Sequence, residues 1–363
     1  MAIAKVFFWA SAGALVWTHA AYPLAARALA RVRTRPVLAD EDALPTVALI
    51  VAAHDEEPVI ERRVANLREL DYPSDRLEVV VTSDASTDRT EELAEASGAR
   101  VIRNPRGGKV AAQDSAVRQT ESDVVAFSDA NCTWAPDALR KLVRSFADPD
   151  VAYVCGRLNL ESDDGKNKEG LYWRFELALR ADESRIDSVT GGNGSIYAVR
   201  REDYLEVDPR FGHDLSFPYR MVQRGKRAVY EPEANAFEKA TPTSEDEYRR
   251  KVRMFEHCWA IVVEGKMLRR LRPLYFVEVV SHRHLRYGSG VLHVVLLGST
   301  IALLGDPLYQ AALGLQLGLL AAAAVGVGVA RYYVLVTWAT LEALVKYLRR
   351  GVPTTWEAAE GTR

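Results

Sequence analysis

The chain reads as an α/β protein, a mostly parallel sheet covered by helices on both faces, with transmembrane and interfacial helices attached. Three observations predict this. Strand-length apolar runs alternate with amphipathic segments, the runs end in acid-bearing turns, and long apolar stretches stand at both ends of the chain. The first unit is VALIVAAH followed by EEPVIERRVANLREL, in which Val59, Ile60, Val64 and Leu67 recur at helical spacing. LEVVVTSD with STDRTEELAEAS, ARVIRNP with GGKVAAQDSAVRQT, and DVVAFSDA with PDALRKLVRSFA repeat the pattern. Ligands of such sheets sit beyond the carboxyl ends of the strands.

After VAYVCGRLNL the alternation lapses. Glu161 to Gly170 is polar and reads as a loop, LYWRFELALRADES reads as a helix, and TGGNGSIYAVRRED as a Gly-rich loop entering a strand. Residues 214–230 then predict a helix, a turn at Gly225 and the short strand RAVYE. From Glu245 to Tyr287 the chain is basic and aromatic with apolar residues at helical spacing, as expected of helices at a membrane surface.

The apolar stretch from Val6 to Leu29 is long enough to span a bilayer at about 1.5 Å per residue. A cleaved signal peptide is the rival reading, but the basic cluster Arg27 to Arg35 opposes export and places the following domain in the cytosol. Three further apolar stretches, near Val291 to Leu304, Leu308 to Ala330 and Tyr332 to Leu348, close the chain. Only the middle one is comfortably long enough to span, and Glu342 leaves a re-entrant or interfacial helix open for the third. The expected organisation is an anchor and basic flank over 1–35, a cytosolic domain over 36–245, interfacial helices over 246–290, membrane helices over 291–348 and a tail over 349–363.

With 363 residues and a formal charge of -2, the chain has no global attraction to nucleic acid; its basic clusters lie beside apolar segments. Cys132, Cys155 and Cys258 are isolated, without the spacing of a zinc knuckle or a disulfide framework.

Acid residues at strand ends carry the chemistry. Asp84 ends the second apolar run, where a carboxylate can accept hydrogen bonds from a ribose or base edge; Ser86, Thr87 and Asp88 behind it read as helix caps. Asp129 and Asn131 end another run at the same rim, an oxygen pair suited to a hard cation accompanying a diphosphate, against an ordinary Asx turn. Lys109 follows two glycines and opens a helix, a place for a phosphate, although a surface turn has the same spacing. His54, Asp55, Glu56 and Glu57 follow the first run, and one of them is expected at the nucleotide. Asp214 is the candidate general base, with a helix cap as the rival role. Arg249, Arg250 and Arg253 fall on neighbouring helical positions, where guanidiniums can clamp a diphosphate or face lipid headgroups.

The order LIVAAHDEE, SDASTD, GGKVAAQDSAV, SDAN, TGGNGSIYAVRR, HDLSFPYRMVQRGKRAVYEP and RRKVRM resembles the membrane-bound family 2 inverting glycosyltransferases over nearly all of residues 47–260. The closing TTWEAAEGTR is similar to tails of members related to poly-N-acetylglucosamine, hyaluronan and cellulose synthases. The resemblance implies a GT-A fold, a nucleotide-sugar donor such as a UDP-sugar, Mg²⁺ or Mn²⁺, and a lipid-linked or saccharide acceptor held at the membrane face. By position it implies that Ala53 and Glu56 line the nucleotide, that Asp84 binds its base or ribose, and that Lys109 lies near the donor. Asp129 and Asn131 occupy the family's Asp-x-Asp site with asparagine as the second member, and His213-Asp214 stands where an acidic pair is usual. Arg250 and Arg253 match the family's Gln-(Gln/Arg)-x-x-Arg-Trp pattern, while Met254 replaces its tryptophan, which puts processive synthesis in question. Gly191, Gly192, Asn193, His213 and Met254 are expected on the acceptor side. The expected activity is transfer of one or a few sugars, with Asp214 as base. A processive polysaccharide synthase is the alternative, and a non-catalytic nucleotide-binding membrane protein is the rival from another class. No G-x-G-x-x-G follows the first run, which argues against a Rossmann dehydrogenase.

Overall fold

The structure, a computed structural model, describes residues 1–161, 170–239 and 243–354. The loop expected at Glu161 to Gly170 lies almost wholly outside the described residues, as does nearly all of the tail TTWEAAEGTR.

Eight strands form one sheet: β1 (Val47–Ala53), β2 (Leu77–Asp84), β3 (Arg100–Asn104), β4 (Val124–Asp129), β5 (Cys132–Trp134), β6 (Val151–Glu161), β7 (Tyr197–Arg200) and β8 (Arg227–Lys239). Their order is β3-β2-β1-β4-β7-β6-β8-β5. The expected strand-helix alternation accounts for the parallel half, β3-β2-β1-β4. The other half is mixed, because β7 runs antiparallel to both β4 and β6 while β6 and β8 are parallel.

The apolar runs are unbroken because both faces are covered. In β1 every residue is buried: Val47, Leu49, Val51 and Ala53 face one core and Ala48 and Ile50 the other. Burying each such large aliphatic chain contributes roughly 1.5–3 kcal/mol. Val59, Ile60, Val64 and Leu67, expected on one helical face, are all buried beneath the first of these cores. Parallel register then aligns the carboxyl ends, with Ala52 opposite Asp129 and Ala53 opposite Ser83. Asp84 and Asp129 therefore emerge at one rim.

Two elements depart from expectation. RAVYE is the start of a 13-residue strand that continues through Pro232 to Lys239, and the short β5 pairs with its far end. Neither the extension beyond RAVYE nor β5 reads as a strand in sequence, because Pro232 interrupts the run and β5 has only three residues.

The N-terminal stretch is helical from Ala2 to Val16 and from Tyr22 to Val32 around a π-turn at Trp17–Ala21. Its Phe8 and Leu15 pack with Leu296, Leu303 and Tyr309. One helix among the described residues, Pro307–Ala324, is long and apolar enough to cross a membrane; Pro273–Tyr287 and Ser289–Ala302 reach that length only together and are bent by 66°. The third closing stretch forms the helix Gly328–Arg350, which packs along Ser244–Glu264. Trp259 Nε1 donates to the Thr340 carbonyl at 2.9 Å, Tyr347 to Glu264 at 2.8 Å, and Glu342 accepts from Tyr248. Glu342 is tolerated in this apolar segment because Tyr248 and, at 2.7 Å, Lys346 satisfy its carboxylate. One face of the basic helix Ser244–Glu264, expected to lie on a lipid surface, buries Phe255 and Cys258 against Val336, Ala339 and Ala343.

Candidate active site

A cavity of about 440 Å³ opens beyond the carboxyl ends of β1 and β4. Glu56, Lys109, Asp129, Asn131, Gly192, Asn193, Asp214, Arg250, Arg253 and Met254 line it, so ten of the expected site residues meet in one space.

Lys109 is delivered by the turn before its helix, Lys109–Arg118. Gly108 has φ +93°, a left-handed conformation that only glycine takes cheaply. Asp84 holds this turn: its carboxylate accepts from Gly107 N at 2.6 Å, from Gly108 N at 3.0 and 3.1 Å, and from Arg106 Nη1 at 2.7 Å. Asp84 is 1% exposed and does not line the cavity. In the structure it shapes the loop that aims Lys109, and the carboxylate expected to meet a ribose or base is already engaged by protein donors. Ala53 is also fully buried behind the cavity, where its neighbour Ala52 forms part of the wall.

Lys109 Nζ forms an ion pair with Asp129. Burial works against its ammonium, but the carboxylates of Asp129 and Asp214 outweigh it and raise its pKa. A Cβ added to Gly194 would lie 3.1 Å from Lys109 Nζ, 3.6 Å from Asp129 Oδ2 and 3.9 Å from Asp214 Cγ. One cation and two carboxylates thus surround a single point.

Asp214 is the second residue of the helix His213–Gln223, whose N-cap is Gly212. It is not the cap, and the helix dipole favours a carboxylate there. Burial nevertheless raises its pKa, with Asp129 adding to the rise and Lys109 and His213 opposing it. Pro218 has a role that sequence reasoning missed. It has no N–H to give to the carbonyl four residues back, and that carbonyl, Asp214 O, accepts Gly192 N instead at 2.8 Å. The Gly-rich loop is thereby tied to Asp214. Gly192 itself admits no side chain, since its Cβ would fall 1.9 Å from the Tyr153 hydroxyl.

His213 and Gly191 stand elsewhere than expected. His213 is 2% exposed, turned from the cavity toward Asp114 (3.2 Å), the Tyr204 hydroxyl (3.4 Å) and a stacked Phe217 ring. Gly191 backs onto Arg283. Both are correctly placed in sequence beside the site, but adjacent residues on a helix or loop face different directions, and their neighbours Asp214 and Gly192 take the cavity.

Glu238 was not expected. It is the penultimate residue of β8, and Ser195 Oγ stands 3.1 Å from Asp129 Oδ2 and 3.3 Å from Glu238 Oε2, while Asn131 Nδ2 donates to Glu238 Oε1 at 3.3 Å. Burial raises the Glu238 pKa against the pull of Arg250, whose guanidinium is 4.0 Å away. Among the described residues no three acidic, cysteine or histidine side chains form a ready metal cage. Asp129, Asn131 and Glu238 do supply oxygens to one space, a set that fits a hard cation completing its shell with substrate phosphates.

The far wall was also missed. Tyr172, Glu176 and Arg180 line it from one face of the helix Leu171–Ile186, and Arg283, Arg286 and Tyr287 from the segment before Ser289. The four-residue spacing of Tyr172, Glu176 and Arg180 was the available signal.

Residues 48–207 match the family model described as glycosyl transferase family 2. The N-acetylglucosaminyltransferase of Rhizobium leguminosarum bv. trifolii is 34% identical over 33% of this chain and 70% of its own length. The chain belongs to glycosyl transferase family 2. The β-monoglucosyldiacylglycerol synthase of Synechocystis sp. is 35% identical over 42% of the chain, which spans only 33% of that relative. A mannosyltransferase from Pyrobaculum calidifontis, solved with GDP-Man and Mn²⁺, superposes with a TM-score of 0.76 at 23% identity, covering 96% of this chain and 98% of that one. This family 2 chain therefore has the GT-A fold.

Proposed function

We propose that the protein is a membrane-anchored inverting glycosyltransferase that moves a sugar from a nucleotide-sugar donor to a lipid-linked or saccharide acceptor. The convergence of Lys109, Asp129 and Asp214 within 4 Å of one point beside Gly194 carries this reading. Among the curated relatives, one named for a glucosyldiacylglycerol product supports a lipid acceptor, and another, named for N-acetylglucosamine transfer, supports sugar transfer. The apolar helix Pro307–Ala324 supports the membrane, with the catalytic domain on the cytosolic side of the basic cluster Arg27 to Arg35.

Asp214 removes the acceptor hydroxyl proton as that oxygen attacks the anomeric carbon. The bond from that carbon to the diphosphate oxygen breaks in the same displacement, the configuration inverts, and the nucleoside diphosphate leaves with the electron pair. The raised pKa of Asp214 brings its basicity nearer that of a hydroxyl. Lys109 and Arg250 place fixed positive charge against the departing group. Mg²⁺ or Mn²⁺, held by Asp129 with Asn131 and Glu238, would supply further charge to the diphosphate oxygens. Ala52 and Glu56 border the nucleotide side of the cavity, and Met254 stands on the acceptor side.

The test is a panel of nucleotide sugars, beginning with UDP-sugars, offered to the purified protein in lipid with Mg²⁺ or Mn²⁺. Release of nucleoside diphosphate coupled to a glycosylated acceptor is the expected result. Absence of turnover with every donor, despite nucleotide binding, would favour a non-catalytic binding protein.

A further inference from the structure

We infer that the acceptor carries a phosphate group, read by Arg180 and Arg283 in the far wall of the cavity, on a lipid whose headgroup also bears the hydroxyl that Asp214 addresses. This rests on the glycosyltransferase reading and narrows its acceptor.

Arg180 is 7% exposed and lines the cavity, yet its Nη1 has no hydrogen-bond partner. Its Nη2 donates to the Gly192 carbonyl at 3.2 Å. A buried guanidinium left incomplete is costly, and an arriving anion would remove that cost. Arg283 beside it donates from Nε to Thr190 O at 3.2 Å and to Thr190 Oγ1 at 3.0 Å, and from Nη1 to the Tyr287 hydroxyl at 3.3 Å. All of these are neutral oxygens. The third arginine of the wall, Arg286, is already paired with Glu176. Glu183 lies behind the wall, fully buried, its carboxylate taken by Tyr22 at 2.7 Å, Thr190 at 3.0 Å and His282 at 2.7 Å. Within this wall three guanidiniums therefore stand with the single carboxylate of Glu176, the cavity's other carboxylates, Glu56, Asp129, Asp214 and Glu238, coming from other elements.

A sugar hydroxyl or a diacylglycerol offers no charge to this pair. A phosphate does, with oxygens spaced for guanidinium donors. The reading above assigns Lys109 and Arg250 to the donor diphosphate, which leaves these two arginines for a second anion. They are also well placed for an acceptor: Gly192, whose carbonyl takes Arg180, gives its N–H to Asp214 O at 2.8 Å, so the anion site stands one peptide unit from the base.

The rest of this wall is apolar and leads toward the closing helices. Tyr172 meets Tyr332 with ring centroids 5.2 Å apart, and Val336 lines the cavity from Gly328–Arg350, directly after the apolar helix Pro307–Ala324. Acyl chains have a path there that a water-soluble phosphate ester would not use.

The experiment uses the full chain in phosphatidylcholine vesicles containing either phosphatidylglycerol or diacylglycerol at equal mole fraction, with glycerol 3-phosphate in solution as a third arm. Transfer to phosphatidylglycerol is expected to exceed transfer to either other acceptor at least tenfold. Arg283→Gln and Arg180→Gln are expected to raise the KM for phosphatidylglycerol about tenfold to a hundredfold, with Arg180→Lys recovering part of the loss and donor KM unchanged. Calorimetric titration with dioctanoyl phosphatidylglycerol in detergent reads the same loss without turnover. Equal or better use of diacylglycerol would overturn the phosphate site while leaving the glycosyltransferase reading intact. Equal use of glycerol 3-phosphate would overturn the lipid, and unchanged acceptor KM and binding in both arginine variants would overturn the assignment of those residues. If no donor is turned over, the glycosyltransferase reading itself fails, and this inference fails with it.

Discussion

The two walls of the cavity are built on different plans. The donor-facing wall comes from the ends of neighbouring parallel strands and the turns after them, so Asp129 and the turn behind Lys109 are set by sheet register. The far wall is assembled from helices at residues 171–186, 244–264, 280–287 and 328–350, segments far apart in the chain that meet only after folding. A strand end positions a side chain by local pairing, whereas a helix face positions one only through what it packs against. On the proposed function, the first wall suits chemistry common to many donors, and the second is where acceptor choice would change by altering a few helical positions.

Several measurements would break or sharpen this contrast. The largest effect is expected at the donor wall, where Asp129→Ala removes both the partner of Lys109 and an oxygen offered to the cation; turnover should fall about a hundredfold or more, with loss of the response to added Mn²⁺. Glu238→Gln keeps shape and removes one charge, and should cost about tenfold, visible as a higher metal requirement at unchanged acceptor KM.

Acidification should stop transfer through protonation of Asp214. Since its pKa is raised, the acid limb of the pH-rate profile should lie above the usual aspartate range, and activity should return as pH rises. Lys109 opposes that rise, so Lys109→Met should move the limb to still higher pH. A limb that stays in place in this variant would show that the two side chains do not interact as their geometry requires. The smallest effect is expected at Pro218. Pro218→Ala restores an N–H able to compete for the Asp214 carbonyl; kcat should fall a few-fold while the helix, freed of its interior proline, becomes more stable. A gain in thermal midpoint with unchanged kcat would show that the tie between Asp214 and Gly192 does not matter to the chemistry.

The same contrast explains what was legible in the sequence. Continuous apolar runs such as VALIVAAH exist because both faces of the sheet are covered, and the aspartates that end two of the runs, Asp84 and Asp129, mark the ligand rim without any three-dimensional knowledge. Asp129 could be found in this way, Lys109 from the two glycines that open its helix, and Asp214 from its place in the order of motifs. Which way a side chain turns was less visible: His213 and Asp214 are adjacent, and only the helix start at Gly212 sends one inward and the other to the cavity. Asp84 ends its strand as expected, but its oxygens serve Gly107, Gly108 and Arg106, an arrangement set by a turn with positive φ. Arg180 and Arg283 were hidden because a basic, aromatic helix looks the same whether it lies on lipid or on protein. Glu238 was hidden because Pro232 appeared to end the strand that carries it.

The most direct test of the central claim is transfer by Asp214→Asn, measured beside donor binding in the same lipid preparation. The substitution keeps size and removes the proton acceptor, so transfer should fall by about two to four orders of magnitude while the donor still binds. Because the buried carboxylate is easier to hold neutral than ionised, the variant should also unfold at a higher temperature than wild type at neutral pH. Transfer equal to that of wild type, with donor bound, would remove Asp214 from the mechanism and contradict the account.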